Sequence, residues 1–205
     1  MESYITIRKY AEFEYEDRKS RFIGEATPVE SESQALEFIE RVKRRFPDAT
    51  HHVYAYVIKE NSIMRFTDDR EPQGTAGMPV LDIIRKNSCT NTVIVVTRYF
   101  GGTLLGTGGL VHAYSSAALG ALKAAEIITY DVYSDYSLEC TYSDFQKLGN
   151  VFNAFEFRQE DAIYADNITI LGRVVKKSAA DFEDKLVQAT SGRIKIAKLG
   201  EKFDF

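Results

Sequence analysis

The sequence contains few of the residues that build covalent or metal-based sites. Its 205 residues include only two cysteines and three histidines, and no tryptophan. Cys89 and Cys140 are isolated, without a C-x-x-C pair, which favours buried thiols over a disulfide or a metal site. Isolated cysteines are also typical of a reducing compartment. We therefore expect a cytoplasmic protein with no metal and no cofactor.

Long apolar runs and a strong charge bias are also missing. No apolar run approaches the roughly 18 residues that a membrane helix needs, and the N-terminal residues lack the apolar core of a signal peptide. The formal net charge is −4, from 26 basic and 30 acidic side chains. This balance argues against a general nucleic-acid coat and still permits a local basic site. We expect no membrane contact and find no DNA-specific signal.

Residues 134–205 carry a clear periodicity that predicts the order β-α-β-β-α-β, the ferredoxin-like pattern. Ser143 and Ser178 are predicted to cap its two helices, with Gln146 and Asp181 three residues further on as capping-box partners. We place a domain boundary before residue 134, which gives domains of residues 1–133 and 134–205. The predicted strands of the second domain are 136–141, 157–164, 168–175 and 193–199.

Residues 1–133 mix strands and helices without strict alternation, which predicts an α+β sandwich with helices on one face of a sheet. Thr92–Tyr99 is almost continuously apolar, so we expect a central strand covered on both faces. Ser31 and Gln34 predict the start of the first helix, and Pro47 its end. The other predicted elements are hairpins 13–18/21–29 and 53–58/63–67, helices 79–86 and 108–125, and a strand 127–133.

Two loops flank the predicted central strand, and they are the most informative part of the sequence. Their glycines indicate tight turns or close approach of another group. The second loop leads into a helix, where unpaired backbone N–H groups favour an anion such as phosphate. The alternative is that the glycines permit close packing, because neither a Walker A motif nor a dinucleotide fingerprint fits. The candidate residues are Asp69, Glu71, Gly74 and Thr75 in the acidic loop, and Gly101, Gly102, Gly106, Gly108 and Gly109 in the Gly-rich loop.

Arg98 lies at the end of the predicted central strand, beside the Gly-rich loop. An arginine that emerges from a buried strand is a forked donor for a carboxylate or phosphate. The alternative is an internal ion pair with Asp69 or Glu71. The same acidic side chains, together with Asp68, are candidates for acid/base groups or metal ligands, or else are solvated turn residues.

The histidines give a weaker signal. His51 and His52 are neighbours in a predicted strand, so their side chains point to opposite faces. A zinc site built from His51, His112 and an acid is possible, but no spaced ligand motif supports it. We keep His51 and His112 as candidate contact residues.

Three blocks of the sequence resemble the IMPACT/YigZ family: THHVYAYV at Thr50–Val57, EPQGTAGMPVL at Glu71–Leu81, and VVTRYFGGTLLGTGGLVHAY at Val95–Tyr114. The resemblance implies an N-terminal fold like that of ribosomal proteins and domain IV of elongation factor G. It implies a ferredoxin-like C-terminal domain similar to that factor's last domain. It also implies a link to translation, because eukaryotic relatives are translation regulators.

These observations lead to three hypotheses. The first is a non-enzymatic cytoplasmic binding protein that contacts the ribosome, RNA or a translation-associated protein through both loops and Arg98. The second is an enzyme that acts on a small anionic, phosphorylated substrate, with Asp69 or Glu71 as acid or base. The third is a protein-docking regulator without nucleic-acid contact. The lack of a nucleophile or metal-ligand signature favours a non-enzymatic role.

Overall fold

The structure, a computed structural model, describes residues 3–205 and separates into two compact units. One unit is Tyr4–Thr129, and the other is formed mainly by Tyr130–Phe205. Each unit contains an antiparallel sheet with helices packed on it. The α+β class predicted from the sequence is therefore confirmed, whereas the division into domains at residue 134 stays a prediction.

The sheet of the first unit has five strands in the order β2-β3-β6-β4-β5, so β6 is central, as predicted. Its bounds, Thr92–Tyr99, are those expected from the sequence, and all but its last residue are buried. The elements of this unit are β1 (Tyr4–Ile7), β2 (Ala11–Asp17), β3 (Ser20–Pro28), α1 (Glu32–Arg45), β4 (His51–Ile58), β5 (Ile63–Thr67), α2 (Gly77–Lys86), β6 and α3 (Gly106–Ala124).

Helices cover both faces of this sheet, so the predicted arrangement with helices on one face is wrong. Val93 and Val95 of β6 pack in one cluster with the apolar stripe of α1. Ile94 and Val96 pack in a second cluster with α2 and α3. Successive side chains of a strand point to opposite faces, and an uninterrupted apolar strand therefore needs cover on both.

The start of α1 agrees with the prediction. The Ser31 hydroxyl accepts a hydrogen bond from the Gln34 backbone N–H at 3.3 Å. The Gln34 side chain accepts from the Glu30 backbone N–H at 2.7 Å, one residue earlier than in a standard capping box. The helix ends at Arg45, directly before Phe46 and Pro47.

The second unit has the predicted order β-α-β-β-α-β, with the strands paired as β10-β7-β9-β8. The two predicted strands 127–133 and 136–141 are one strand, β7. Ladder pairing of β7 with β10 and β9 continues through Tyr133–Tyr136, which leaves no break between them. The elements are β7 (Ile127–Cys140), α4 (Tyr142–Ala154), β8 (Arg158–Tyr164), β9 (Ile168–Val175), α5 (Ala179–Thr190) and β10 (Lys195–Asp204).

The helix starts of the second unit correct two capping predictions. Thr141, not Ser143, caps α4, because its extended backbone lets its hydroxyl accept from the Asp144 N–H at 3.3 Å. Ser143 lies inside the first turn. Ser178 does precede α5, but its side chain makes no capping hydrogen bond. Among the helices of residues 3–205, none has the length and apolar character needed to span a membrane.

Candidate functional site

A cleft of about 420 Å³ opens at the C-terminal end of β6 in the first unit. Its floor contains His51, Glu71 and Arg98, and its rim includes Gly106 and Thr107 at the start of α3. We call this feature the β6 cleft. It brings together residues from both loops that the sequence analysis selected.

The floor of the β6 cleft is a buried ion pair. Arg98 and Glu71 are only 5% and 9% exposed, and Arg98 Nη1 donates to Glu71 Oε1 at 2.5 Å. The Arg98 guanidinium also lies over the rings of Phe22 and Phe100, with its central carbon 5.3 and 5.5 Å from the ring centroids. The arginine therefore forms the internal pair with Glu71 and not with Asp69.

Tyr114 of α3 completes this floor from below. Its hydroxyl donates to Glu71 Oε1 at 2.7 Å, and its ring is fully buried. Burial, followed by the charge of Glu71, raises the pKa of Tyr114 far above its ordinary value. The tyrosine is therefore protonated at neutral pH and acts as a fixed donor to the carboxylate.

The other acidic residues of the loop are engaged by the backbone. Asp68 Oδ1 accepts from the N–H groups of Ala76 and Gly77 at 3.1 and 2.8 Å, which caps the start of α2. Asp69 Oδ2 accepts from the His52 N–H at 2.6 Å. Since both carboxylates hold the loop in place, Glu71 is the acidic side chain that the loop presents to the β6 cleft.

Gly74 and Thr75 shape the acidic loop and lie outside the β6 cleft lining. Gly74 has a φ of +78° and donates its N–H to Asp68 Oδ2 at 2.9 Å. The Thr75 hydroxyl donates to the Pro72 carbonyl at 2.7 Å. Their positions explain the turn, and they do not touch the floor of the cleft.

The three histidines occupy three different environments. His51 lies in the β6 cleft, where its Nδ1 is 2.7 Å from the Asp69 carbonyl and its Nε2 is 3.6 Å from Glu71 Oε1. His52 contacts the Phe46 carbonyl through Nε2 at 3.0 Å, and burial lowers its pKa. His112 lies on an exposed face of α3, edge-on to the Tyr15 ring.

A zinc site that joins His51 and His112 is not formed. Across residues 3–205, no group of three or more His, Cys, Asp or Glu side chains is placed to hold a metal. Burial raises the pKa of the Cys89 thiol to about 11, so this cysteine is protonated at neutral pH. The β6 cleft itself presents an ion pair, an imidazole and backbone groups.

The glycines of the Gly-rich loop serve different purposes. A Cβ at Gly101 would lie 2.0 Å from the carbonyl carbon of Lys19, so this glycine allows close packing on the β2–β3 turn. Gly102 and Gly106 have φ of +82° and +72°, which favours glycine. A Cβ at Gly109 would lie 3.0 Å from the Leu105 Cβ, whereas one at Gly108 would meet nothing within 4 Å.

The first turn of α3 is open to solvent. The helix begins at Gly106, two residues before the predicted start at Gly108, so Gly106, Gly108 and Gly109 lie within its bounds. The first N–H groups of a helix have no partner within it, and Leu105 supplies no side-chain cap. Gly106, Thr107 and Gly108 are all exposed. This end of α3 therefore presents backbone donors at the rim of the β6 cleft.

The walls of the β6 cleft are apolar, and sequence reasoning missed them. Phe100 is 47% exposed and Leu104 is 82% exposed. Both lie in the Gly-rich loop, and Pro72 and Leu110 extend the apolar lining. Large apolar side chains in a loop after a strand end are the signal that could have revealed this surface.

Basic residues of the β2–β3 turn lie next to the cleft. Arg18 and Lys19 are exposed and both have positive φ, as a two-residue hairpin turn requires. Arg18 Nη1 donates to the Leu104 carbonyl at 3.4 Å, and Gly101 packs on Lys19. Neither basic side chain forms an ion pair within the part of the chain that the structure describes. The fold and site thus define an α+β protein with a part-apolar, part-polar cleft beside a basic turn.

The comparisons with known proteins identify the family of this chain. The Impact N-terminal domain family matches residues 18–122, and a family described as a domain of unknown function matches residues 138–193. The chain belongs to the IMPACT family. The β6 cleft lies entirely within the matched N-terminal segment.

Bacterial relatives match almost the whole chain. The IMPACT family member YvyE of Bacillus subtilis (strain 168) is 35% identical over 202 residues, which cover 98% of this chain and 93% of that protein. The IMPACT family member YigZ of Escherichia coli (strain K12) is 29% identical, and the match covers 98% of this chain and 100% of that protein.

A vertebrate relative matches about half of the chain. Protein IMPACT of Danio rerio is 29% identical over 106 residues, which cover 49% of this chain and 33% of that protein.

A solved structure supports the fold. The chain described as "Crystal structure of an hypothetical protein" is 29% identical and superposes with a TM-score of 0.61. The match covers 97% of this chain and 98% of that chain. The likeness therefore extends over both units.

Proposed function

We propose that this protein is a non-enzymatic cytoplasmic binding protein that acts in translation and contacts RNA through the β6 cleft. The observation that carries the proposal is that one cleft has an exposed aromatic ring, an open helix end at its rim, and beside it two basic side chains that form no ion pair among residues 3–205. Phe100, the first turn of α3, and Arg18 with Lys19 supply these three features. They correspond to the stacking, phosphate and backbone contacts that single-stranded RNA requires.

The translation context comes from the family. We propose that the first unit is similar to ribosomal proteins and to domain IV of elongation factor G. We also propose that the second unit is similar to a ferredoxin-like domain. The pairing order β10-β7-β9-β8 supports the ferredoxin-like part of it. Regulation of translation by eukaryotic family members supports a ribosomal or RNA partner.

A binding role fits the state of the polar groups better than a catalytic one. The carboxylates of Asp68 and Asp69 accept hydrogen bonds from backbone N–H groups, and Arg98 forms an ion pair with Glu71. An acid/base pair or a nucleophile with its base needs side chains that are available to a substrate. Because these side chains already bond within the protein, we expect the cleft to act as a preformed binding surface.

The test is sedimentation of a cell lysate that contains the full chain, at low and moderate salt. The wild-type protein is expected to migrate with ribosomal particles at low salt and to be released as salt rises. Phe100→Ala should release it at low salt, whereas Phe66→Ala should not, because Phe66 is a similarly exposed phenylalanine outside the β6 cleft. Free migration of the wild type in every condition would overturn the proposal.

Nuclease treatment separates RNA contact from protein docking. If RNA carries the contact, digestion of exposed RNA releases the protein from the particles. A complex that survives digestion would instead support the hypothesis of a protein-docking regulator.

The second candidate function, an enzyme on a small phosphorylated substrate, is favoured by one observation. His51 and Glu71 lie side by side on the floor of the β6 cleft, 3.6 Å apart. Asp69 is not available for the role proposed for it, because its carboxylate accepts from the His52 backbone. Saturable turnover of a phosphorylated metabolite, lost in Glu71→Gln but kept in Asp82→Asn, would establish this function in place of the first.

A further inference from the structure

Two hydrogen-bond acceptors on the floor of the β6 cleft, His51 Nε2 and Glu71 Oε2, receive no donor from residues 3–205. His51 Nδ1 faces the Asp69 carbonyl at 2.7 Å, and a carbonyl oxygen carries no proton. In the neutral imidazole the proton therefore lies on Nδ1, and Nε2 is an acceptor. This acceptor faces Glu71 Oε1 at 3.6 Å, so the floor favours a group that brings N–H or O–H donors.

Glu71 adds a second acceptor. Its Oε1 receives Arg98 and Tyr114, whereas its Oε2 accepts no hydrogen bond from the described residues 3–205. The side chain is more than nine-tenths buried and lines the cleft. Oε2 is not among the buried atoms that lack a partner, so it is open to the β6 cleft, where a ligand N–H or O–H can reach it.

The walls and rim restrict the shape and charge of such a ligand. Phe100 and Leu104 offer an apolar surface that suits a flat ring. The open end of α3 offers N–H donors and the positive end of the helix dipole, which suit a phosphate. The volume of about 420 Å³ lies in the usual range of small-ligand sites.

We propose that the β6 cleft holds one unstacked guanine nucleotide of an RNA strand, with the base on the floor and the phosphate at the start of α3. This inference rests on the proposed function. The Watson–Crick edge of guanine carries two neighbouring donors, N1–H and the 2-amino group, which match His51 Nε2 and Glu71 Oε2. Uracil places carbonyl oxygens on both sides of its single N–H, and these would face the Glu71 carboxylate.

Gly108, in the first turn of α3, is the position at which a substitution can test the proposed phosphate contact. In a helix each Cα–Cβ bond tilts toward the N-terminus, so a methyl group at 108 would stand over the open end of α3. A Cβ there would meet no atom of residues 3–205 within 4 Å, and Gly108→Ala should therefore fold normally. Gly149 of α4 is a matched control, since it is also helical, exposed and free of neighbours within 4 Å.

The experiment is an NMR titration of the full chain with guanosine 5′-monophosphate, inosine 5′-monophosphate, uridine 5′-monophosphate and guanosine. The guanine nucleotide should shift the amide signals of Gly106, Thr107 and Gly108. Inosine 5′-monophosphate, which lacks the 2-amino group, should bind about ten- to hundredfold more weakly. Guanosine, which lacks the phosphate, should bind about fivefold more weakly than the nucleotide.

The Gly108→Ala variant ties the phosphate to α3. It should weaken binding of guanosine 5′-monophosphate but leave binding of guanosine unchanged, while Gly149→Ala should change neither. Equal affinities for the guanine, inosine and uridine nucleotides, or no shifts at the start of α3, would overturn the inference.

A parallel titration with a short single-stranded RNA distinguishes the two proposals. RNA binding that needs Phe100 but shows no guanine preference would leave the proposed function standing and remove only this inference. Binding of the mononucleotide without binding of RNA would remove the proposed function and point to a small-molecule site.

Discussion

The ion pair of Glu71 and Arg98 shows how one residue contact organises the candidate site. Both side chains are buried, and the carboxylate also receives the Tyr114 hydroxyl. Removal of one partner from a buried pair leaves the other charge without compensation, which is more harmful than loss of both. The pair is therefore a structural requirement for the β6 cleft as well as part of its floor.

Arg98→Met should lower the free energy of unfolding by about 3–5 kcal/mol, because Glu71 stays buried without its cation. Chemical denaturation measures this loss. The double change Arg98→Met/Glu71→Leu should recover part of it. Arg65→Met is the control, since Arg65 is largely exposed and its loss should change stability by less than about 1 kcal/mol. Additive single effects in the double variant would contradict this account.

Asp144 gives a pH-dependent prediction in the second unit. Hydrogen bonds from Arg193 and Lys147 hold the pKa of Asp144 well below its ordinary value of 3.8. A carboxyl whose pKa is lower in the folded state than in the unfolded state stabilises the fold at any pH above the unfolded-state pKa. This stabilisation is lost as the pH falls toward the folded-state pKa. Asp144→Asn should therefore be less stable than wild type at neutral pH, and the difference should shrink below about pH 4. A difference that is constant from pH 7 to pH 2 in denaturation curves would contradict the assignment.

At the scale of secondary-structure elements, the sequence predicts which residues of an element are buried better than it predicts on which face of the sheet the element packs. β6 was predicted with correct bounds because its apolar run is uninterrupted. The position of α1 opposite α2 and α3 was not predicted, since periodicity shows which residues face inward but not toward which face of the sheet. The sequence predicts a later start for α3 than the structure shows, because glycines have low helix propensity and the packing of Leu110 and Ala113 overrides it.

The glycines of α3 and its preceding loop should respond oppositely to alanine. Gly101→Ala should destabilise the protein by more than about 3 kcal/mol, because its Cβ would overlap the Lys19 backbone. Gly108→Ala should stabilise it by about 0.5–1 kcal/mol, since the site is helical and unobstructed. Thermal unfolding of the two variants measures both effects. Equal destabilisation would indicate that Gly108 also has a packing role.

The corrected cap of α4 can be tested in the same way. Thr141→Ala should lower the free energy of unfolding by about 1 kcal/mol, because the Asp144 N–H loses its acceptor. Ser143→Ala should have a smaller effect, since Ser143 lies within the first turn. Chemical denaturation of both variants decides between them, and a larger loss for Ser143→Ala would identify Ser143 as the cap.

At the scale of the whole molecule, the family and the α+β class were accessible from sequence because they depend on long motif blocks and periodicity. The candidate site was accessible only in part. Glu71, Arg98 and His51 were selected by residue type and meet in the β6 cleft, but Phe100 and Leu104 were not selected. Large apolar side chains in a loop after a strand indicate such a surface, but their exposure also depends on the packing of distant elements, which the sequence does not show.

The salt dependence of RNA binding measures how many phosphates the whole protein contacts. Arg18 and Lys19 are expected to contact phosphates, so each should add about 0.7 to the slope of log affinity against log salt for single-stranded RNA. Arg18→Gln and Lys19→Gln should each reduce the slope by about that amount without loss of stability. An unchanged slope in both variants would place the phosphate contacts elsewhere.

The most direct test of the central claim is the affinity of a short single-stranded RNA for three forms of the full chain: wild type, Phe100→Ala and Phe66→Ala. Base stacking on Phe100 predicts a loss of about 1–3 kcal/mol in binding for Phe100→Ala and no change for Phe66→Ala. Equal affinities of all three forms would contradict a role of the β6 cleft in RNA binding.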